Sequence, residues 1–216
     1  MSASLARARR RMVLQHLRPA GIVDARVLAA MGRVPREAFV PPSVAAFAYD
    51  DQALPLGHGQ TISQPVIVAA MLQALELVGD ERVLDVGTGS GYSAALLAEL
   101  AAEVTGIERL VVLADRARQV LAELGYARLR VEVGDGTLGW PAGAPYDAIV
   151  VAAGGPRVPE ALLAQLAPGG RLVMPVGDGR SQALVRVGRD AAGAVHETRL
   201  GAVRFVPLIG SQGWIA

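Results

Sequence analysis

Cysteine is absent from the 216-residue chain, and histidine occurs only at His16, His58 and His196. Without thiols there are no disulfides, no thiolate metal ligands and no cysteine nucleophile. Three scattered imidazoles also argue against a protein-built metal site. Charge of neither sign dominates: 21 basic residues stand against 20 acidic ones, a net charge of +1. That balance lacks the cationic surplus a sequence-independent grip on nucleic acid requires, so no nucleic-acid partner is expected. Apolar runs of about 18 residues are missing too, and with them the expectation of a membrane span. The opening MSASLARARRRMVLQHLRP carries arginines with no apolar stretch of signal-peptide length behind them, and reads as a solvated helix face. These absences point to a soluble, cytoplasmic protein.

What is present is a chain 52% hydrophobic, enough for one buried α/β core. Two parts are expected within that single structural domain, residues 1–64 as a helical cap with a polar loop and 65–216 as the core. In the first part a helix runs to about Leu17, a second from Ile22 or Asp24 to Met31 with Asp24 as a plausible cap, and VPREAFVPP forms a proline-bounded turn. FAYDDQALPLG has no clear period, and the cap has too few apolar residues to bury a core alone. From Pro65 onward short β-branched runs alternate with helical stretches, the pattern of βαβ units on a doubly wound, mostly parallel sheet. The strands are RVLDV, EVTGIE, LRVEVG, DAIVVAA and GRLVMPV, with PGG at Pro168–Gly170 as the stop before the last. The segments ALVRVGR and VHETRLGAVRFVPLI, joined by DAAG, are expected as antiparallel strands closing the sheet.

The first core strand runs straight into LDVGTGSGY, with Gly87, Thr88, Gly89, Ser90 and Gly91 forming a strand-to-helix turn where open α/β sheets bind small molecules. A dinucleotide site wants G-x-G-x-x-G/A, but here the spacing is G-x-G-x-G and Tyr92 stands where the third glycine would fall. Asp85, just before the loop, either caps the turn or faces a cationic ligand group. Glu108, about 21 residues past Gly87, either pairs with Arg109 or Arg116 or accepts hydrogen bonds from two ribose hydroxyls. Asp135 and Gly136 form either a common turn or a contact to an adenine amino group. Three acids at three adjacent strand ends favour S-adenosylmethionine, which carries an ammonium and a sulfonium and no phosphate.

The segments MGRVPREAFVPP, AYDDQALPLGHGQTISQP, VLDVGTGSGYSAALLA, GIE, GDGTLGWP, PYDAIVVAA, LAPGGRLVMPVG and VRFVPLIG cover nearly the whole chain. In that order they make it similar to the protein-L-isoaspartate (D-aspartate) O-methyltransferases. The resemblance implies an α/β fold of the S-adenosylmethionine-dependent methyltransferase type. It also implies methyl transfer from S-adenosylmethionine to the free carboxylate of L-isoaspartyl residues in damaged proteins and peptides, by an enzyme expected to act as a monomer. Ser63 is implied as the catalytic residue, with Gly59, Gln60, Thr61, Ile62, Val206 and Pro207 around the substrate. Ser63 is also placed to cap a helix beginning at Pro65. Because a carboxylate of pKa about 4 is already ionised near neutral pH, Ser63 and Thr61, with amides near Gly59 and Gln60, are expected to orient the acceptor rather than activate it. His58 is expected in a structural or substrate-edge role, and Trp140 and Trp214 as core or cover. Two departures from the family pattern are GIERL, without the usual acid-proline continuation, and DAIVVAAGG, whose Gly154 and Gly155 are expected to loosen a loop. The alternatives are a related enzyme esterifying another carboxylate and a non-catalytic S-adenosylmethionine-binding module.

Overall fold

The computed structural model describes residues 3–215. The chain opens with α1 (Ala3–Met12), which passes into one wide π turn, Val13–Leu17, and then α2 (Ala25–Arg33). Asp24 caps α2, its side chain accepting from the amides of Arg26 and Val27, as its residue type favours. Two 3-10 turns, Arg36–Phe39 and Pro42–Phe47, follow where proline-bounded turns are expected. The aperiodic stretch then yields a strand the sequence does not announce. β1 (Leu54–Gly57) pairs antiparallel with β2 (Gln60–Ile62), so GHGQTIS is a hairpin rather than a loop. His58 sits at its exposed tip at φ 52° between two positive-φ glycines.

After α3 (Pro65–Ala74) come β3 (Arg82–Val86), α4 (Tyr92–Ala98), β4 (Glu103–Glu108), α5 (Val111–Glu123), β5 (Arg130–Val133) and β6 (Tyr146–Val151). Then α6 (Glu160–Gln165) leads into β7 (Leu166–Gly177), β8 (Gln182–Arg189) and β9 (Val195–Val203). The sheet order is β5-β4-β3-β6-β7-β8-β9, parallel through β7 and antiparallel beyond. Two boundaries depart from expectation. β7 begins at Leu166, before the PGG stop, and β9 ends at Val203, so VRFVPLIG is not a strand.

Sheet side chains alternate between two cores, as strands covered on both faces must. Val83, Ala148, Val150 and Val173 pack with α3, α4, α5 and the N-terminal helices, whereas Leu84, Val86, Ile149, Val151, Leu172 and Met174 meet Leu162 and Leu208 on the other face. The N-terminal region does not stand apart. Met12, Leu17, Met31 and Phe39 are fully buried in the same core as Leu72 and Leu96. No described helix is long and apolar enough to cross a membrane.

Chain reversal falls between β3 and β6, since β4 and β5 lie on one side of β3 and β6 and β7 on the other. Small-molecule clefts of open α/β sheets form at such a switch point, beyond the carboxyl ends of the strands.

Candidate active site

A cleft enclosing about 970 Å³ of non-protein space, with solvent at its mouth included, opens at that switch point. Its floor is Val86 and Gly87 after β3, Ile107 and Glu108 at the end of β4, and Ala152 after β6. Thr88, Gly89, Ser90 and Gly136 line it as expected. Three amides of the glycine loop are held by β4: Gly87 N and Thr88 N donate to Ile107 O at 2.9 and 3.2 Å, and Gly89 N donates to Glu108 Oε2 at 3.0 Å. Glu108 Oε1 accepts from Leu110 N at 2.9 Å, and a carboxylate with room for about four donors keeps capacity for hydroxyls in the cleft.

Four residues expected at a ligand are elsewhere. Asp85 is fully buried beneath the loop and does not line the cleft. Thr88 Oγ1 donates to its Oδ2 at 3.1 Å, while Oδ1 is buried with no hydrogen-bond partner. Burial pushes its carboxyl up to about 7, the Glu108 charge adds to the rise, and the Thr88 and Ser93 hydroxyls oppose it. Gly91 is a packing glycine: at φ 91°, a Cβ there lies 3.1 Å from Leu121 Cδ1 and 3.2 Å from Ala117 Cβ on α5. Asp135 is turned into the protein, taking Thr137 N at 2.9 Å, Thr137 Oγ1 at 2.6 Å and Ser211 N at 2.7 Å, and only Gly136 reaches the cleft. Gly59 lies in the exposed hairpin turn, outside the lining.

The opposite wall comes from the hairpin and the C-terminal segment. Gln60, Thr61, Ile62 and Ser63 line the cleft, as do Val206 and Pro207. A second concavity, lined by Ile67, Arg204 and Phe205, shares Thr61, Ser63, Ala152 and Val206 with the first. Ser63 thus stands in a partition between two chambers. Among the described residues its hydroxyl has no hydrogen-bond partner, and its only bonded atom is its carbonyl. It does not cap α3. Gln64 holds the cap position without a side-chain bond, and Asp51 serves instead, accepting from Val66 N at 3.1 Å and Gln64 Nε2 at 2.7 Å.

The C-terminal segment is fixed by bonds the sequence does not advertise. Gly154 N donates to Val206 O and Leu208 N to Gly154 O, both at 2.8 Å, and Trp214 Nε1 donates to Gly154 O at 2.9 Å. Gly154 and Gly155 therefore tighten the loop instead of loosening it: a Cβ on Gly154 would lie 2.4 Å from Gln182 Nε2 and one on Gly155 3.0 Å from Arg157 O. Trp214 covers this junction, and Trp140 packs at the edge of the second core. Sequence reasoning also missed the apolar wall from Leu56, Val68, Met71 and Leu72. Its signal is that PVIVAAMLQA is apolar nearly all round, the mark of a helix buried on more than one side.

The chain matches the family model described as Protein-L-isoaspartate(D-aspartate) O-methyltransferase over residues 8–213. It is 59% identical over 214 residues to Protein-L-isoaspartate O-methyltransferase 1 of Rhodopseudomonas palustris strain HaA2, covering 99% of this chain and 87% of that protein. To the Protein-L-isoaspartate O-methyltransferase of Methanoculleus marisnigri it is 55% identical over 208 residues, 96% of this chain and 94% of that one. Among solved structures, a protein-L-isoaspartate O-methyltransferase superposes with a TM-score of 0.84 at 28% identity, covering 95% of this chain and 67% of that chain. A candidate beta-aspartate methyltransferase of Plasmodium falciparum, in complex with S-adenosyl-L-homocysteine, superposes at 0.79 with 25% identity, covering 92% and 97%.

Proposed function

Because the chain belongs to the protein-L-isoaspartate O-methyltransferase family and is an S-adenosylmethionine-dependent repair methyltransferase, we propose a division of labour between its two chambers. The cleft at the switch point takes the methyl donor and the second groove takes the isoaspartyl chain, with Ser63 and Thr61 between them. The single observation that carries this reading is the shared wall, Thr61, Ser63, Ala152 and Val206 lining both concavities.

The donor cleft fits S-adenosylmethionine on two grounds. Glu108 retains acceptor capacity for ribose hydroxyls, and the unpartnered Asp85 Oδ1 lies just beneath the glycine loop. When bound, the donor supplies a sulfonium methyl whose bond to sulfur breaks as a carboxylate oxygen takes the carbon, leaving a neutral thioether and a methyl ester.

The remaining work is the chain's own. An isoaspartyl carboxylate is an anion at neutral pH, so no residue need remove a proton. Orientation is the larger lever, worth about 7–11 kcal/mol when reacting atoms are held in line, against about 10²–10⁴-fold for general base catalysis. The free hydroxyls of Ser63 and Thr61 donate to one carboxylate oxygen and aim the other at the methyl group. Val206, Pro207 and the hairpin exclude water from the nucleophile, which strengthens every charge interaction in the site. We place this activity in the cytoplasm, carried out by a monomer on one isoaspartyl chain at a time.

Ser63→Ala is the test. Turnover on an isoaspartyl peptide is expected to fall by about 10–100-fold, the scale of one lost orienting bond to a charged group, with the Kd for S-adenosylhomocysteine nearly unchanged. Equal loss of turnover and cofactor affinity would remove Ser63 from the acceptor side.

A further inference from the structure

Arg36 is a guanidinium with no exposed surface, a costly placement that requires partners. Its Nε donates to Ala48 O at 2.7 Å, its Nη2 donates to Ser63 O at 2.8 Å, and its carbon stands 5.0 Å from the centroid of the Tyr92 ring. Tyr92 is the first residue of α4, directly after the glycine loop, and lines the donor cleft. On the other side of Ser63, the Asp51 carboxylate holds Gln64 Nε2 and Val66 N. Two opposite charges from the N-terminal region therefore bracket the short link between the hairpin and α3.

We propose that Arg36 and Asp51 are the positioning residues of the methyl transfer: together they fix the Ser63 main chain against the donor side of the site so that its hydroxyl meets the acceptor carboxylate in line. Three features support this over a role confined to folding. The Arg36 bond is the one that pins the Ser63 carbonyl. Arg36 also touches the acceptor segment and the first residue of the donor helix at once, so a shift in either reaches the other. Finally, the Ser63 hydroxyl has no protein partner of its own among the described residues, which leaves its direction to the backbone. A displacement of about 1 Å in such a group can cost about 100-fold in rate.

The inference rests on Ser63 facing the acceptor. Arg36→Lys, Asp51→Asn and Ser63→Ala are compared with the wild-type enzyme for kcat and KM on one isoaspartyl peptide, the Kd of S-adenosylhomocysteine by titration calorimetry, and Tm. Arg36→Lys keeps the charge but replaces the two bonding nitrogens, Nε and Nη2, by a single ammonium that cannot reach Ala48 O and Ser63 O in the fork geometry; Asp51→Asn keeps one acceptor. Expected is a kcat lowered about 10–100-fold in both clamp variants, with Kd within about threefold and the change in kcat exceeding what the folded fraction explains. A lower Tm with kcat per folded molecule within twofold of wild type overturns the proposal, as does a Kd weakened as much as kcat. Should Arg36→Lys not fold, Asp51→Asn decides on the same terms. If Ser63→Ala leaves kcat intact, the acceptor assignment fails first; if it lowers kcat and the clamp variants do not, only the clamp fails.

Discussion

Asp85 is the residue whose state depends most on what fills the cleft. Fully buried, with one oxygen unpaired, its carboxyl is pushed up to about 7 by burial first and by Glu108 second. The folded value lies above the unfolded one, so the contribution to stability is complete below about pH 4 and is lost as pH rises through 7, at most about 4 kcal/mol. A sulfonium and an ammonium nearby favour the anion. Cofactor binding therefore lowers this pKa, and affinity for S-adenosylmethionine should strengthen as pH rises from 6 towards 7 and level off above it, by at most about tenfold in all between pH 6 and 8. Titrations at pH 6, 7 and 8 are expected to show that slope in the wild type and a flat profile in Asp85→Asn. Without ligand, Asp85→Asn should raise Tm more at pH 8 than at pH 5, and parallel pH profiles for variant and wild type would sink the assignment. The sequence located this residue at the strand end but not its depth beneath the loop. LDVGTGSGY marks a carboxylate at a strand end, but which face of the strand it occupies depends on neighbours from β4 and β6 that no local pattern contains. The same holds for Asp135, where a turn signal was correct and its partner, Ser211, lies 76 positions away.

Elements show a different boundary between what was legible and what was not. Core strands β3, β4 and β6 and helices α4 and α5 stand out because continuous apolar runs and helical periods are properties of neighbouring residues. The β1–β2 hairpin did not, since β1 is only Leu54–Gly57 and contains a proline, a residue that argues against a strand interior. Arg36 was invisible for the opposite reason. A basic residue in VPREAFVPP reads as solvated, and only the enclosure of the 3-10 turns against α4 buries it. At Gly91 the sequence suggested ligand approach, and the packing of α4 on α5 supplies the actual requirement. Gly91→Ala should cost about 1–2 kcal/mol for the left-handed backbone and about 1–3 more for overpacking against Leu121 and Ala117. Denaturant unfolding measures the total. A loss below 1 kcal/mol would mean that α5 yields at this contact and that the glycine serves the ligand after all.

At the scale of the whole molecule, residues 204–215 decide whether the cleft exists as a closed site. β9 ends at Val203, and the chain then crosses the carboxyl ends of the strands, tied to Gln182 through Phe205, to Gly154 through Val206 and Leu208, and to Asp135 and Thr137 through Ser211 and Gln212. Val206, Pro207, Leu208 and Ile209 line the donor cleft, and those ties fix the segment there. Asp135 is the charged anchor, accepting from Ser211 N and from Thr137. Burial alone would raise its carboxyl, but the Ser211 amide and the Thr137 hydroxyl together hold it below the usual carboxylate range, so the anchor is present at neutral pH and is lost as pH falls through that lowered value. In Asp135→Ala the Ser211 and Thr137 donors lose their acceptor, about 1–3 kcal/mol. Amides of residues 205–212 should then exchange faster with solvent while those of β3 and β6 do not change. Since binding must now re-order the segment, S-adenosylhomocysteine affinity should fall about tenfold, unlike in Ser63→Ala. At a ligand concentration of about 100 times Kd the wild type gains about 2.7 kcal/mol, a rise in Tm of about 5–10 °C for a chain of this size. Asp135→Ala at the same ligand concentration should gain about half of that. If exchange at residues 205–212 is unaltered, the segment is held by its apolar contacts with the second core, and closure of the cleft does not depend on this carboxylate.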